Sequence, residues 1–352
     1  MRSIAWIPVF TGMTDLLYSL ARAALFRLDP ELAHDLALKS LAALGPGAAL
    51  LGASADPGEA KRVMGIDFPN PVGLAAGLDK NGVYVDALAA LGFGFLEIGT
   101  VTPRPQPGNP KPRMFRVVEH EALINRFGFN NVGVEQVLTN VDRARFRGVL
   151  GINIGKNFDT PLERSADDYL ECLDAVYTRA TYVAVNISSP NTRNLRDLQS
   201  SEKLDELLGL VMARRASLAA KHGATKPLLV KVAPDLDDAQ VETIAELAVK
   251  HSVDGLIATN TTVSREEIAG HRHAAELGGL SGRPLFARST GILRKLAESL
   301  AGRVPLIGVG GILSGEDARA KIAAGASLVQ IYTGFIYRGP GLIGEARRAL
   351  RP

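Results

Sequence analysis

Between Thr14 and about Leu28 the apolar residues Leu16, Leu17, Leu20, Ala21, Ala24, Leu25 and Leu28 recur every three or four positions. That spacing places them on one side of a helix and predicts an amphipathic one. Asp29 and Pro30 start a second helix, because an Asp side chain accepts from free first-turn amides and the fixed φ of proline suits the first helical position. Leu32, Ala33, Leu36, Ala37, Ser40 and Leu41 continue one face until Gly45-Pro46-Gly47 stops it. The two predict a helical hairpin over 14–50. A stretch rich in Gly, Ala and Asp follows and reads as a linker over 51–69.

From Asn70 the periodicity changes. Short apolar runs at Val72–Ala76, Phe95–Thr100, Val149–Ile154, Tyr182–Ile187, Leu228–Val232, Gly255–Asn260, Leu306–Gly310 and Leu328–Thr333 alternate with helix-period segments at Val83–Leu91, Ala166–Arg179, Leu204–His222, Asp238–Lys250, Thr290–Leu300 and Gly315–Ala324. Continuous apolar runs suit strands buried on both faces, as in a parallel sheet covered by helices. The eight candidate strands predict an α/β fold, a (β/α)8 TIM barrel over 70–352 with the N-terminal helical hairpin as an extension. A doubly wound open sheet is the alternative, although it usually takes fewer units and gathers polar residues at one switch point. The excursion over 101–134, with Pro103, Pro105, Pro107, Pro110 and Pro112, is too long for a plain βα connection and predicts a lid.

Most strand candidates end in polar residues or glycine: Gly77 with Asp79 and Lys80, Thr100, Asn153 with Lys156, Asn186, Lys231, Thr259-Asn260-Thr261, Gly310-Gly311 and Tyr332-Thr333. In a barrel these positions converge on one rim, where active sites of the fold are built. Any one rim lysine could be solvated; Lys80, Lys156 and Lys231 together suit negative charge on a ligand, or a Schiff base. The glycines after strands seven and eight expose backbone amides of the kind that hold phosphate in barrels. A tight turn is the plainer reading of either glycine run alone.

Composition narrows the function. The 352 residues are 46% hydrophobic, enough for one large domain with an extension. Forty Lys and Arg against 37 Asp and Glu leave a formal charge of +3, so no nucleic-acid partner is expected. Cys172 is the only cysteine, and it has no neighbouring Cys/His cluster, so neither an intrachain disulfide nor a bound metal is expected, and a reducing compartment is. Asp15, Arg22, Arg27, Asp29 and Glu31 interrupt the apolar start, so no membrane-spanning helix is expected there. Residues 1–12 match a secretory signal poorly; 1–13 are expected to be disordered, with Met13 a candidate alternative start.

The segment Val185-Asn186-Ile187-Ser188-Ser189-Pro190-Asn191-Thr192 is the most specific motif. With Ala75 to Lys80, Gly99 to Pro103, Asn125 to Asn131, Asn153 to Asn157, Lys231 to Asp235, Ala258 to Thr262 and Gly278 to Gly282, it resembles the dihydroorotate dehydrogenase family in its quinone-dependent class 2 branch, from about residue 20 onward. The resemblance implies oxidation of (S)-dihydroorotate to orotate in de novo pyrimidine biosynthesis. It also implies one non-covalent FMN per chain and a membrane quinone as electron acceptor. It assigns FMN contacts to Ala76, Gly77, Leu78, Asp79, Lys80, Thr100, Asn153, Asn186, Lys231, Thr259, Gly282, Gly311, Tyr332 and Thr333. Substrate contacts fall on Lys80, Asn125, Arg126, Phe127, Gly128, Phe129, Asn186, Asn191, Asn260 and Thr261.

Ser189 matches the family's catalytic base, which takes the C5 proton as hydride leaves C6 for flavin N5; the adjacent Ser188 is the competing assignment. A free serine is a weak base, so Thr192 and Thr261 are candidates to relay the proton. The soluble branches carry cysteine at that place, whereas Cys172 falls in a predicted helix and reads as a buried structural thiol. His34, Arg116 and Tyr332 match residues of a quinone tunnel, though a lone histidine on an amphipathic helix is more often a packing or surface residue. The hairpin would enter a lipid interface or pack on the barrel. A monomer is expected, peripheral to the cell inner membrane on its cytoplasmic side. The rivals are an aldolase or isomerase of phosphorylated substrates, and a barrel that binds FMN or phosphate without catalysis.

Overall fold

The computed structural model describes residues 18–53, 56–192 and 195–351. The segment 1–13 and the expected start of the first helix lie outside them. Residues 18–25 are helical, and a second helix runs over Pro30–Ala43. Asp29 caps it by accepting from the amides of Glu31 and Leu32, both at 3.0 Å.

Strands β1 (Lys61–Val63) and β2 (Ile66–Phe68) form an antiparallel hairpin. The barrel follows: β3 (Val72–Leu74), β4 (Phe95–Val101), and, after the lid strands β5 (Met114–Val117) and β6 (Ala122–Asn125), β7 (Val149–Ile154), β8 (Tyr182–Asn186), β9 (Leu228–Val232) and β10 (Gly255–Ala258). Strand β11 (Gly279–Gly282) precedes the last two barrel strands, β12 (Leu306–Val309) and β13 (Leu328–Ile331). The eight barrel strands are parallel, and β13 pairs with β3 through Val329 and Val72 to close the ring. Closure leaves no barrel strand with an unpaired edge. Helices at Val85–Ala89, Ser165–Val176, Ser201–His222, Asp238–Lys250, Phe286–Leu300 and Gly315–Ala323 cover the outside at the segments the periodicity predicts.

The stretch 51–69 is not a plain linker. Its hairpin sends Val63 and Phe68 into one end of the barrel, where they pack with Phe95, Val149, Tyr182 and Leu229. Arg347 pins the approach to it through a buried 2.6 Å pair with Glu59. Three-residue strands joined at Met64-Gly65 are too short to show an alternating pattern, so periodicity cannot find them. The lid also draws on more than 101–134: β5 and β6 are completed by β11, which pairs Gly279 with Asn125.

Inside the barrel, large rings lie over glycines. A Cβ on Gly73 would come 2.3 Å from the Phe95 ring, and one on Gly151 would come 2.1 Å from Cζ of Tyr182. Gly151 stands in register with Glu97 on one side and Tyr182 on the other, so the tyrosine ring crosses it at one level of the barrel. Gly151→Ala overpacks this level and should cost about 1–3 kcal/mol. A lower denaturant midpoint with an unchanged slope is the expected result.

Candidate active site

The C-terminal ends of the strands open on one cavity, roofed by residues that flank the lid sheet. From the barrel come Ala76, Gly77, Lys80, Thr100, Asn186, Ser189, Asn191, Lys231, Thr259, Asn260, Thr261, Gly311, Tyr332 and Thr333; from the lid come Asn125, Phe127, Gly128, Phe129 and Gly282. Other positions singled out in the sequence stand behind this wall. The buried Asp79 carboxylate accepts from the amides of Asn81, Val83 and Tyr84 and so shapes the turn after β3 beside Leu78. Burial raises its pKa against those bonds. Arg126 pairs with Glu276 at 2.6 Å and stacks 4.7 Å from the Phe115 ring. Lys156 donates to the carbonyls of Asn157 and Thr160, so it holds its own loop.

One carboxylate organises the floor. Glu97, fully buried in β4, accepts from Asn153 Nδ2 at 2.8 Å, from the Tyr182 hydroxyl at 2.9 Å and from Gln330 Nε2 at 2.7 Å. A carboxylate in this role only accepts, so each amide must turn its nitrogen toward it and its oxygen away. Asn153 Oδ1 accordingly accepts from Thr100 Oγ1 at 2.6 Å and from Asn186 Nδ2 at 3.2 Å. Asn186 Oδ1 in turn accepts from Ser188 Oγ at 3.1 Å, and Ser188 Oγ accepts from Asn260 Nδ2 at 3.0 Å. Gln330 Oε1 is left buried and, among the described residues, unpartnered, on a residue that lines the cavity. Glu97 and Gln330 were missed by motif reading; their signal is a lone polar residue inside an apolar strand run.

The two serines separate by environment. Ser188 is consumed by the amide network, whereas Ser189 lines the cavity and, among the described residues, its Oγ accepts only the Asn191 amide, at 3.2 Å. Arg196, also unforeseen, fixes this loop by donating to Ser188 O at 3.0 Å, to Thr261 O at 2.8 Å and to Asp235 at 2.8 Å. Asn191 Nδ2 reaches the lid at Asn125 Oδ1, 3.2 Å away. Thr192 Oγ1 is buried with no hydrogen-bond partner among the described residues.

Two cations face the same space. Lys231 is buried without a hydrogen-bond partner among the described residues; burial lowers its pKa, and Glu97 opposes the shift. The Lys80 ammonium donates to Gly77 O at 2.8 Å and lies 4.1 Å from the Phe127 ring centroid. Burial pulls its pKa down to about 8. Cys172 is buried in the Ser165–Val176 helix, where burial drives the thiol pKa well up and leaves it inert.

Residues 60–351 match the family described as dihydroorotate dehydrogenase. The chain belongs to the dihydroorotate dehydrogenase family. It is 60% identical over 335 residues to a protein of Burkholderia pseudomallei (strain K96243) named dihydroorotate dehydrogenase (quinone), covering 95% of this chain and 98% of that one. The protein of the same name from Burkholderia mallei (strain ATCC 23344) is also 60% identical, covering 95% and 97%. The crystal structure of the Eimeria tenella enzyme in complex with ferulenol superposes with a TM-score of 0.84 at 40% identity, over 92% of this chain and 90% of that one. Its ligand-free form gives 0.83 at 40% identity, over 92% and 94%. The family is one of oxidoreductases, so this chain is an enzyme.

In this dehydrogenase the N-terminal helices lean on the lid and the C-terminal helices. The Tyr18 hydroxyl donates to Ile336 O at 2.7 Å, and Glu31 pairs with Arg113 at 2.7 Å. Arg116 donates to the carbonyls of Leu25, Phe26 and Leu28 and so closes the end of the first helix. His34 is held near Leu78 and Lys80, and burial first, then the Lys80 charge, lowers its pKa to about 4. The Tyr332 hydroxyl lies 3.4 Å from Gly77 O. Leu20, Leu28, Leu32 and Leu36 remain exposed on the outer side of the hairpin. No helix among the described residues is long and apolar enough to cross a membrane.

Glu97→Gln keeps the shape of the hub but sets an NH2 group among three donors. Leaving a buried donor unmade costs about 1–3 kcal/mol, so the urea midpoint should fall. An unchanged midpoint would show that the amides reorient freely.

Proposed function

We propose that the protein oxidises (S)-dihydroorotate to orotate in de novo pyrimidine biosynthesis, with FMN in the cavity and a membrane quinone as the final acceptor. The observation that carries the reading is the Ser189 hydroxyl, which opens into a cavity walled by amides and the two lysine ammoniums of Lys80 and Lys231.

The residues suit a phosphorylated flavin. Gly311 forms a cradle that a side chain would fill, since its Cβ would stand 2.5 Å from Phe286. The amides of Gly311 and Ile312 have no acceptor among the described residues, and both residues line the cavity. Gly282 and Thr333 border the same end, and Ala76, Gly77, Thr100, Thr259 and Tyr332 wall the rest. Gln330 Oε1, without a partner among the described residues, offers an acceptor for a ring N–H, and Lys231, likewise unpaired among them, offers a cation for charge gained on reduction. Leu78, Asp79 and Asn153 act from behind the wall by fixing these groups. FMN, when bound, supplies a hydride acceptor that can later pass its electrons to a quinone.

The chain's own residues then divide the work. Asn125, Asn186, Asn191, Asn260 and Thr261 read the carbonyl and N–H edges of a pyrimidine ring, and the Lys80 ammonium pairs with its carboxylate. Phe127, Gly128 and Phe129 close over it and exclude water, with Arg126 bracing them from outside through Glu276. Ser189 takes the C5 proton. A serine cannot retain that proton, so a neighbour must relay it onward. Thr192 Oγ1, unpartnered among the described residues, suits this better than Thr261, whose hydroxyl is bonded to Asn260 Oδ1 at 3.3 Å.

On the far side, His34, Arg116 and Tyr332 frame the route for the quinone, and the exposed leucines of the hairpin rest in the lipid interface. The protein is a peripheral monomer on the cytoplasmic side of the inner membrane.

Ser189→Ala should retain FMN while flavin bleaching by dihydroorotate slows by about 10²-fold or more. Unchanged bleaching in stopped-flow would remove Ser189 from its role. Leu32→Glu with Leu36→Glu should release the protein from lipid vesicles and slow reoxidation by a long-tailed quinone. The dihydroorotate half-reaction should hold its rate; equal loss of both half-reactions would sink the membrane assignment.

A further inference from the structure

Lys321 takes no part in the chemistry above, yet it is fully buried. It lies on the Gly315–Ala323 helix behind β12, where a Cβ on Gly308 would meet its Cβ at 3.1 Å. Its ammonium donates to Ser289 Oγ at 2.6 Å and stands 5.0 Å from the Phe286 ring centroid. No carboxylate pairs with it among the described residues, and its ammonium makes one hydrogen bond among them. A buried cation left this way is costly unless an anion comes near it.

What lies next to it is the glycine cradle. Ser289 Oγ is 3.1 Å from Gly310 O, so a chain of contacts runs from Lys321 through Ser289 to the first glycine of the turn. Phe286, beneath the ammonium, is also the residue against which Gly311 rests. Lys321, Ser289 and Phe286 thus stand behind the glycine turn at which the flavin phosphate is assigned, one layer back from the cavity lining. We propose that Lys321 is the buried counter-charge of that phosphate and makes the site prefer a phosphorylated flavin to the bare riboflavin; this rests on the FMN assignment above.

The electrostatics support it. Burial draws the ammonium pKa down to about 7, opposed only by Asp317 one turn earlier on the same helix. The Asp317 carboxylate is itself engaged by the Leu313 amide at 2.8 Å. The groups packed on Lys321 from the Phe286–Leu300 helix and from β12, namely Ser289, Phe286 and Gly308, carry no charge. A dianion at the cradle favours the protonated lysine, so its bound pKa lies above the free one. Phosphate affinity is therefore full below about pH 7 and declines as pH rises toward the bound value. A phosphate monoester is already mostly dianionic there, its second pKa being about 6. Burial lowers the pKa of Lys80 and Lys231 as well, but they are assigned to substrate and ring and so act on both flavins; the ratio of the two affinities isolates Lys321.

The test titrates FMN and riboflavin into the full chain freed of flavin, between about pH 6 and 9, for the wild type and Lys321→Met; one pKa unit of coupling corresponds to about tenfold in affinity. The wild type should prefer FMN, with the preference shrinking on the order of tenfold toward high pH. In Lys321→Met the preference should be smaller by a similar factor and independent of pH, with riboflavin affinity unchanged. Retention of the wild-type ratio and slope by Lys321→Met overturns the proposal. Should the variant fail to fold, a pH-independent ratio in the wild type overturns it alone. Wild type that binds neither flavin would remove the FMN assignment together with it, whereas a firm FMN preference indifferent to Lys321 removes only the counter-charge.

Discussion

The polar interior of this barrel depends on an acceptor that cannot donate. Glu97 takes hydrogen bonds from Asn153, Tyr182 and Gln330 within the sheet. Because it offers no proton, the sense of every bond beyond it is determined outward, through Asn186 and Ser188 to Asn260. Amide side chains are otherwise ambiguous, able to present oxygen or nitrogen at little cost. Here a ligand meets a fixed pattern of donors and acceptors, set before it arrives. Such networks are high-stakes in a low-dielectric interior: satisfied, they rigidify; broken, they leave polar atoms stranded.

The cavity is divided between a floor built on the barrel and a separate roof. The floor hangs on strands closed into a ring, while Asn125, Phe127 and Phe129 belong to the excursion whose sheet is completed by β11. Asn191 spans the two through Asn125, and Arg196 ties the loop after β8 to the loop after β10. The N-terminal helices attach to the roof, at Arg113 and Arg116, as well as to the C-terminal helices.

Much of this was legible in the sequence. The barrel strands fall within a residue or two of the apolar runs, since strands buried on both faces need continuous apolar sequence. Many of the polar residues at strand ends line the cavity at the C-terminal end of the barrel. What they could not give was direction: Asn153 and Asp79 sit at the right strand ends yet turn to Glu97 and to a local turn, away from the cavity. The β1–β2 hairpin was hidden by its brevity, and β11 because its partner β6 lies some way back in the chain. Glu97 and Gln330 carry no motif of their own; only a polar residue interrupting an apolar run marks them. Lys321 is similar, a charged residue on an outer helix that sequence alone would place in solvent.

Gly151 shows how far such a constraint travels. Tyr182 needs its phenol to reach Glu97, and the straight path from β8 to β4 crosses β7 at Gly151, which stands between them in register. No shorter side chain at 182 could keep the contact, so position 151 inherits its bareness from a charge to which it is not itself bonded. A demand for smallness on one strand is, at its origin, a demand for a proton donor on another.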